Sequence, residues 1–259
     1  MRSILYILIL SVPSYAQKKI TTVEVRDEIM HATVDRVGEL YIETKSGQIQ
    51  KFDITGKLLS VYKNRPTPTL FEPRDGSRLF AYFKDDRRID YMNPSFEATA
   101  TYKIDSAFVI EPWLVCSSGD HNIWILDAAD RTLKKIEPRT SSLLVDVKLP
   151  GIVSADFTSI VTLREYQGFV FLLDNQKGIH IFNGMGKLIK TISAPQLEYF
   201  NFLGEELYYP VAGKLTFLNL FSTETREISP GGPFKFALLT DERRFIIHEN
   251  TIDFFEFKP

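Results

Sequence analysis

The residue types that do most enzymatic chemistry are sparse in this chain and spaced against it. His31, His121, His180 and His248 are the only histidines. They form neither His-x-His nor His-Glu-x-x-His, the spacings that bring two imidazoles onto one metal ion. His180 and His248 stand in apolar runs that read as strands, which makes them hydrogen-bonded strand residues. The single cysteine, Cys116, ends the apolar run Trp113-Leu114-Val115-Cys116 and reads as a packed thiol. One cysteine excludes an internal disulfide and any multi-cysteine metal cluster. No Gly-x-Ser-x-Gly elbow is present, and no helix follows Gly184-Met185-Gly186, so that glycine pair is not a phosphate loop.

Two constellations remain. Arg164-Glu165-Tyr166 is a polar insertion beside an apolar run, read as a loop between the first two strands of its unit. Glu111-Pro112-Trp113 reads as the matching feature one unit earlier. Arg, Tyr and Trp are the side chains that anchor interaction surfaces, so Arg164, Glu165, Tyr166 and Trp113 are the candidate partner-binding residues. Glu111, Asp156 and Asn201 lie near the inner strands of three units. Their oxygens could converge on a divalent metal if the units close into a ring.

The elements that must position these residues come from a repeat. Leu40-Tyr41-Ile42, then Ile49 to Asp53 and Gly56-Lys57-Leu58, recurs without a gap as Val170-Phe171-Leu172, Ile179 to Asn183 and Gly186-Lys187-Leu188. Weaker copies centre on Phe80, Trp124, Tyr208 and Phe245. The polar residue closing each copy, Asp53, Asn93, Glu137, Asn183, Asn219 and Glu256, recurs every 36 to 46 residues. Each copy is a set of short strands rich in Ile, Leu, Val, Phe and Tyr, punctuated by Gly, Asn, Asp and Pro. Asp53-Ile54-Thr55-Gly56 and Asn183-Gly184-Met185-Gly186 supply an Asx side chain first and a glycine last, the chemistry of a tight turn. Six such units make an all-β, six-bladed β-propeller with four antiparallel strands per blade. The last copy lacks a fourth strand, while Ile20–Val25 stands unassigned before the first. Borrowing it would close the ring and remove two open edges.

Composition and address complete the reading. Residues 1–16 combine a basic start, the apolar run Ile4–Val12, Pro13 and the small exit Ser14-Tyr15-Ala16, which is a secretory signal peptide. Maturation at Gln17 leaves one propeller domain over 17–259. The apolar run is too short to span a bilayer, where roughly 20 residues are needed. The chain is expected to be exported, to the periplasm or beyond the cell. A net charge of −2 argues against a nucleic-acid partner. The expectation is a monomeric binding module that takes a protein or small ligand on one ring face and needs no cofactor.

The Phe-Asp-x-x-Gly-Lys-Leu pattern over 52–58 resembles NHL-like six-bladed propellers. Thr162–Leu172 with Gly178–Phe182 resembles a group of exported propellers from Bacteroidetes. The resemblance implies the ring architecture over most of the mature chain. A lactonase-type relative would hold a divalent metal in the channel with one side chain from each of several blades. Glu111, Asp156 and Asn201 would fill that role in a metal-assisted hydrolase or lactonase.

Overall fold

A computed structural model describes residues 18–257, and the signal peptide read in 1–16 lies outside them. Twenty-four strands and one three-residue 3-10 turn at Phe157–Ser159 form six antiparallel sheets of four strands. The first strands of the blades are Ile29–Val34, Leu70–Asp75, Pro112–Ser117, Ile160–Tyr166, Asn201–Leu203 and Phe236–Leu239. They surround the axis, and those of blades 6 and 1, 1 and 2, 2 and 3, and 3 and 4 touch one another. The end where they begin is called upper here, and the end where they turn into the second strands lower.

Ring closure follows the strand accounting. The terminal strand Lys19–Glu24 pairs antiparallel with Thr251–Glu256 and is the outermost strand of blade 6. Thr22 opposes Asp253 and Val23 opposes Ile252, with one register shift between Lys19 and Thr21.

A register shared by all six blades explains why these sequences form these sheets. Tyr41, Phe80, Trp124, Phe171, Tyr208 and Phe245 occupy the same position of each second strand, opposite Thr33, Glu72, Cys116, Arg164, Asn201 and Leu238. All six aromatic side chains are at most 1% exposed. Burying one such ring stabilises the fold by about 2–3 kcal/mol. The aromatic is the repeat's invariant because a blade cannot cover its own face and must bury it on the next blade.

Five of the six polar residues that close the copies cap turns; the sixth, Glu256, ends the last strand. Oδ1 of Asp53 accepts from the Thr55 and Lys57 amides at 2.8 and 3.0 Å. Asn93, Asn183 and Asn219 do the same for their own turns. Glu137 reaches the Arg139 and Thr140 amides with its longer arm. Each turn leads the third strand into the fourth, and four of the six blades shift register just before it.

Candidate functional site: the axial channel and its lower mouth

In the layer of residues opposite the shared aromatics, Thr33, Glu72 and Arg164 line the upper axial cavity and Arg164 and Asn201 the lower one, while Cys116 and Leu238 are packed in the seams between blades. The layer is apolar in blades 3 and 6, where Cys116 and Leu238 are buried, and polar in the other four. Arg164 links this layer. Its Nε lies 3.4 Å from Glu72 Oε1 of blade 2, and its Nη1 donates to Asn201 Oδ1 of blade 5 at 2.9 Å. The guanidinium also sits 5.2 Å from the Phe202 ring. Arg164 lines both the upper axial cavity, about 250 Å³, and the lower one, about 390 Å³. It stands where the two meet.

The four sequence-chosen residues have different fates. Arg164, Glu165 and Tyr166 belong to the first strand of blade 4, so the loop expected there begins only at Gln167. Side chains alternate along a strand, which sends Arg164 and Tyr166 toward blade 5 and Glu165 toward blade 3. Tyr166 stacks on Phe202 with centroids 4.0 Å apart, and its hydroxyl donates to the Gly204 carbonyl at 2.6 Å. It lines the lower cavity beside Arg164. Glu165 is buried in the blade 3–4 seam, where its carboxyl accepts from Ser118 Oγ, the Gly119 amide and Trp124 Nε1.

Trp113 is not the counterpart of this group. Pro112 opposes Asp127 as Ile160 opposes Asp174, so Trp113 aligns with Val161, at the upper end. Cys116 and Ser117 occupy the positions of Arg164 and Glu165. Trp113 Nε1 donates to the Ile160 carbonyl at 3.0 Å, and Lys84 Nζ lies 3.2 Å from its ring centroid. These contacts join blades 2, 3 and 4.

Glu111, Asp156 and Asn201 do not converge. Glu111 is exposed ahead of blade 3's first strand. Asp156 caps the 3-10 turn by accepting from the Thr158 hydroxyl and amide at 2.7 and 2.9 Å, which hold its carboxyl below the usual range. Asn201 is taken up by Arg164 at the lower side. No cavity wall contains all three. Among the described residues no group of three or more His, Cys, Asp or Glu could hold a metal ion. The alternative metal set is kept apart because strand register sets Asn201 well down the channel, while Glu111 and Asp156 lie in loops before their strands.

The channel also holds residues that sequence reasoning passed over. His31 and Glu43 are cross-strand partners in blade 1 and both line the upper cavity. Burial alone pushes the Glu43 carboxyl up to about 7. Burial, then the positive charge of Arg164, pushes the His31 imidazole down to about 4. Near neutral pH the imidazole is uncharged and the carboxyl poised between its two forms. Only register could reveal this pair, since the residues lie on different strands. At the lower end Asp35 is buried and caps its own turn, accepting from the Val37 and Glu39 amides and from the Tyr41 hydroxyl. Burial is the leading cause that raises its carboxyl to about 6.

No protein-family model matches the chain, and no curated protein matches it in sequence. Solved structures resemble it in shape. The WD40 domain of Neurospora crassa Pan2 superposes with a TM-score of 0.61 at 10% identity, covering 93% of this chain and 96% of that one. A virginiamycin B lyase from Staphylococcus aureus gives 0.52 at 14% identity, covering 88% and 80%. PorZ, an essential bacterial surface component of the type-IX secretion system of Porphyromonas gingivalis, gives 0.55 at 12% identity, covering 89% of this chain and 32% of PorZ. At these identities the likeness is one of fold, and propellers host unrelated functions. Among the described residues no helix is long and apolar enough to cross a membrane.

Proposed function

We propose that this chain is an exported, ring-shaped binding module that receives its partner at the lower mouth of the channel, with Arg164 as the anchor and Tyr166 beside it. The observation that carries this reading is the position of Arg164 on the walls of both axial cavities, held by Glu72 and Asn201. A guanidinium oriented in this way presents a pre-formed fork of donors at low entropic cost. The lower cavity, about 390 Å³, is of the size that binds small ligands or a single inserted side chain. Glu165 and Trp113 serve the module as seam residues that hold blades 3 and 4 in place. The apolar leader supports export, and the fold shared with PorZ, a surface component, is compatible with that address.

Affinity capture from the native envelope tests the reading. The mature chain and its Arg164→Ala variant are immobilised side by side, after melting curves show that both are folded. The expected result is a species retained by the parent and lost with Arg164→Ala. Equal retention by both would remove the lower mouth as the binding site.

A further inference from the structure

The lower face carries a second feature away from Arg164. The turns between the first and second strands of blades 1 and 3 bring Arg36 and His121, and the start of blade 2's second strand brings Arg78, to one cavity of about 150 Å³. Among the described residues no carboxylate lines it. Phe80, Tyr91 and Ser118 supply most of the remaining wall. Arg78 is held in place from one side, with its guanidinium 3.9 Å from the Tyr91 ring centroid. Its Nη1 lies 3.4 Å from His121 Nδ1. A guanidinium can only donate, so Nδ1 is the acceptor and the ring proton sits on Nε2. Arg36 is exposed and lines this cavity as well as the lower mouth.

Two permanent cations therefore share a small hollow whose described wall contains no carboxylate, with Glu72 behind it accepting from the wall's Ser117 Oγ at 3.2 Å. Arg226 is matched by Glu206 and Arg88 by Asp86, whereas Arg87 and Arg131 are held by backbone carbonyls. The turns of blades 5 and 6 carry Glu205, Asp241 and Glu242, and those of blades 1 and 3 carry Asp35, Glu39 and Asp120, of which Glu39 is paired with Lys51 and Asp120 with Lys135. The aromatic walls exclude part of the solvent, which strengthens charge-assisted hydrogen bonds made there. At about 30 Å³ per water, the hollow has the room of roughly five waters, enough for one tetrahedral oxyanion with residual solvent.

We infer that Arg36, Arg78 and His121 form a subsite for a phosphate or sulfate ester group on the ligand of the lower face. This inference rests on reading the lower face as the binding face and adds the ligand's chemistry to it. The two guanidiniums hold the charged oxygens in their donor forks, and Ser118 and His121 border the anion. A carboxylate offers two oxygens in a plane and fills such a three-sided hollow less well.

The test titrates the full mature chain with inorganic phosphate, inorganic sulfate and sodium acetate at constant ionic strength, followed by calorimetry and by the rise in melting temperature. The expected result is saturable binding of phosphate, sulfate or both with a dissociation constant on the order of 1 mM, and acetate weaker by about tenfold. Phosphate alone points to a phosphoryl ligand and sulfate alone to a sulfated one. The Arg36→Ala/Arg78→Ala double variant should lose about tenfold or more, and Arg78→Lys, which keeps the charge but not the stacked fork, severalfold. Lys214→Ala, at an exposed ion pair with Glu227, removes one positive charge elsewhere and should change nothing. Equal binding by the parent and the double variant, acetate binding as well as phosphate and sulfate, or no saturation would each overturn the subsite. The outcome is separable from that of the capture experiment. Partner loss in Arg164→Ala without anion binding fails the subsite alone, and anion binding without any Arg164-dependent partner fails the module reading alone.

Discussion

The seam between blades 3 and 4 and the seam between blades 6 and 1 solve the same packing problem with different chemistry. In both, a glycine of the later blade's turn sits on the outer strand of the earlier blade. Gly186, at φ +75°, would place a Cβ 2.5 Å from Val147 of blade 3, and Gly56, at φ +91°, would place one 2.7 Å from Thr21 in the terminal strand. Thus Lys19–Glu24 stands to blade 1 as Ser142–Lys148 stands to blade 4. The seams differ in what lies deeper. The blade 3–4 seam contains the buried Glu165 carboxyl with Ser118, Gly119 and Trp124 as donors. The closure seam is apolar inside, built from Val25, Ile29, Phe236, Phe245 and Phe254 among others. It is fastened outside by Lys235 with Glu28 and by Arg243 Nε donating to the Ile54 carbonyl. A seam joined by continuous chain can place one polar bolt accurately. The closure seam must assemble from segments more than 200 residues apart in sequence, and broad apolar contact tolerates that better.

The sharpest way to break the comparison is to remove the closing strand. Deleting residues 18–24 should cost on the order of 5 kcal/mol through lost backbone pairing and apolar burial. A melting midpoint equal to that of the parent would mean that the terminal strand is not equivalent to a blade's own outer strand. Next in size is Glu165→Ala, which leaves the buried Ser118 hydroxyl and Trp124 Nε1, and the exposed Gly119 amide, without their acceptor and should destabilise by about 3 kcal/mol in urea unfolding. Glu165→Gln keeps one acceptor oxygen and should lose about half as much. A loss below that of an ordinary surface substitution would reduce the seam to simple packing.

The smallest effect sharpens the contrast between a carboxyl with donors and one without. Glu43 has its carboxyl raised from 4.5 to about 7 by burial. A raised acid favours the protonated folded form, so its contribution is greatest below pH 4.5 and is lost as pH rises through about 7. Because the side chain is half-buried against a wet channel, the span should be roughly 2 kcal/mol. Glu43→Gln should therefore match the parent near pH 4.5 and exceed it by that amount at pH 8. His31 acts in the opposite direction and lower, with stability lost as pH falls from 6.5 toward about 4, so it does not interfere at pH 8. A variant no more stable than the parent at pH 8 would show that Glu43 has a partner in solution.

Much of the fold was legible because its determinants are local. The aromatic of each second strand, the Asx side chain of each outer turn and the glycine after it repeat in sequence, and each acts within a few residues of itself. Even closure could be counted, since one strand was lacking at the end and one left over at the start. The candidate site was legible only in its residue types. Arg164 and Tyr166 reached a cavity wall, whereas Glu165, between them, went into a seam because alternation along the strand turned it the other way. Trp113 looked like a partner of that group from composition and lies at the opposite end of its strand.

By itself the sequence determined the all-β repeat, the number of blades and the way the ring closes, because periodic burial and turn chemistry are properties of consecutive residues. Only the tertiary structure decided which side chains share a space. Glu72 meets Arg164 across 92 positions, His31 meets Glu43 through strand register, and Arg36, Arg78 and His121 gather on one rim from three blades. Radial packing makes neighbours of residues a blade or more apart, and a shift of one residue in register would have sent each of them to the other face.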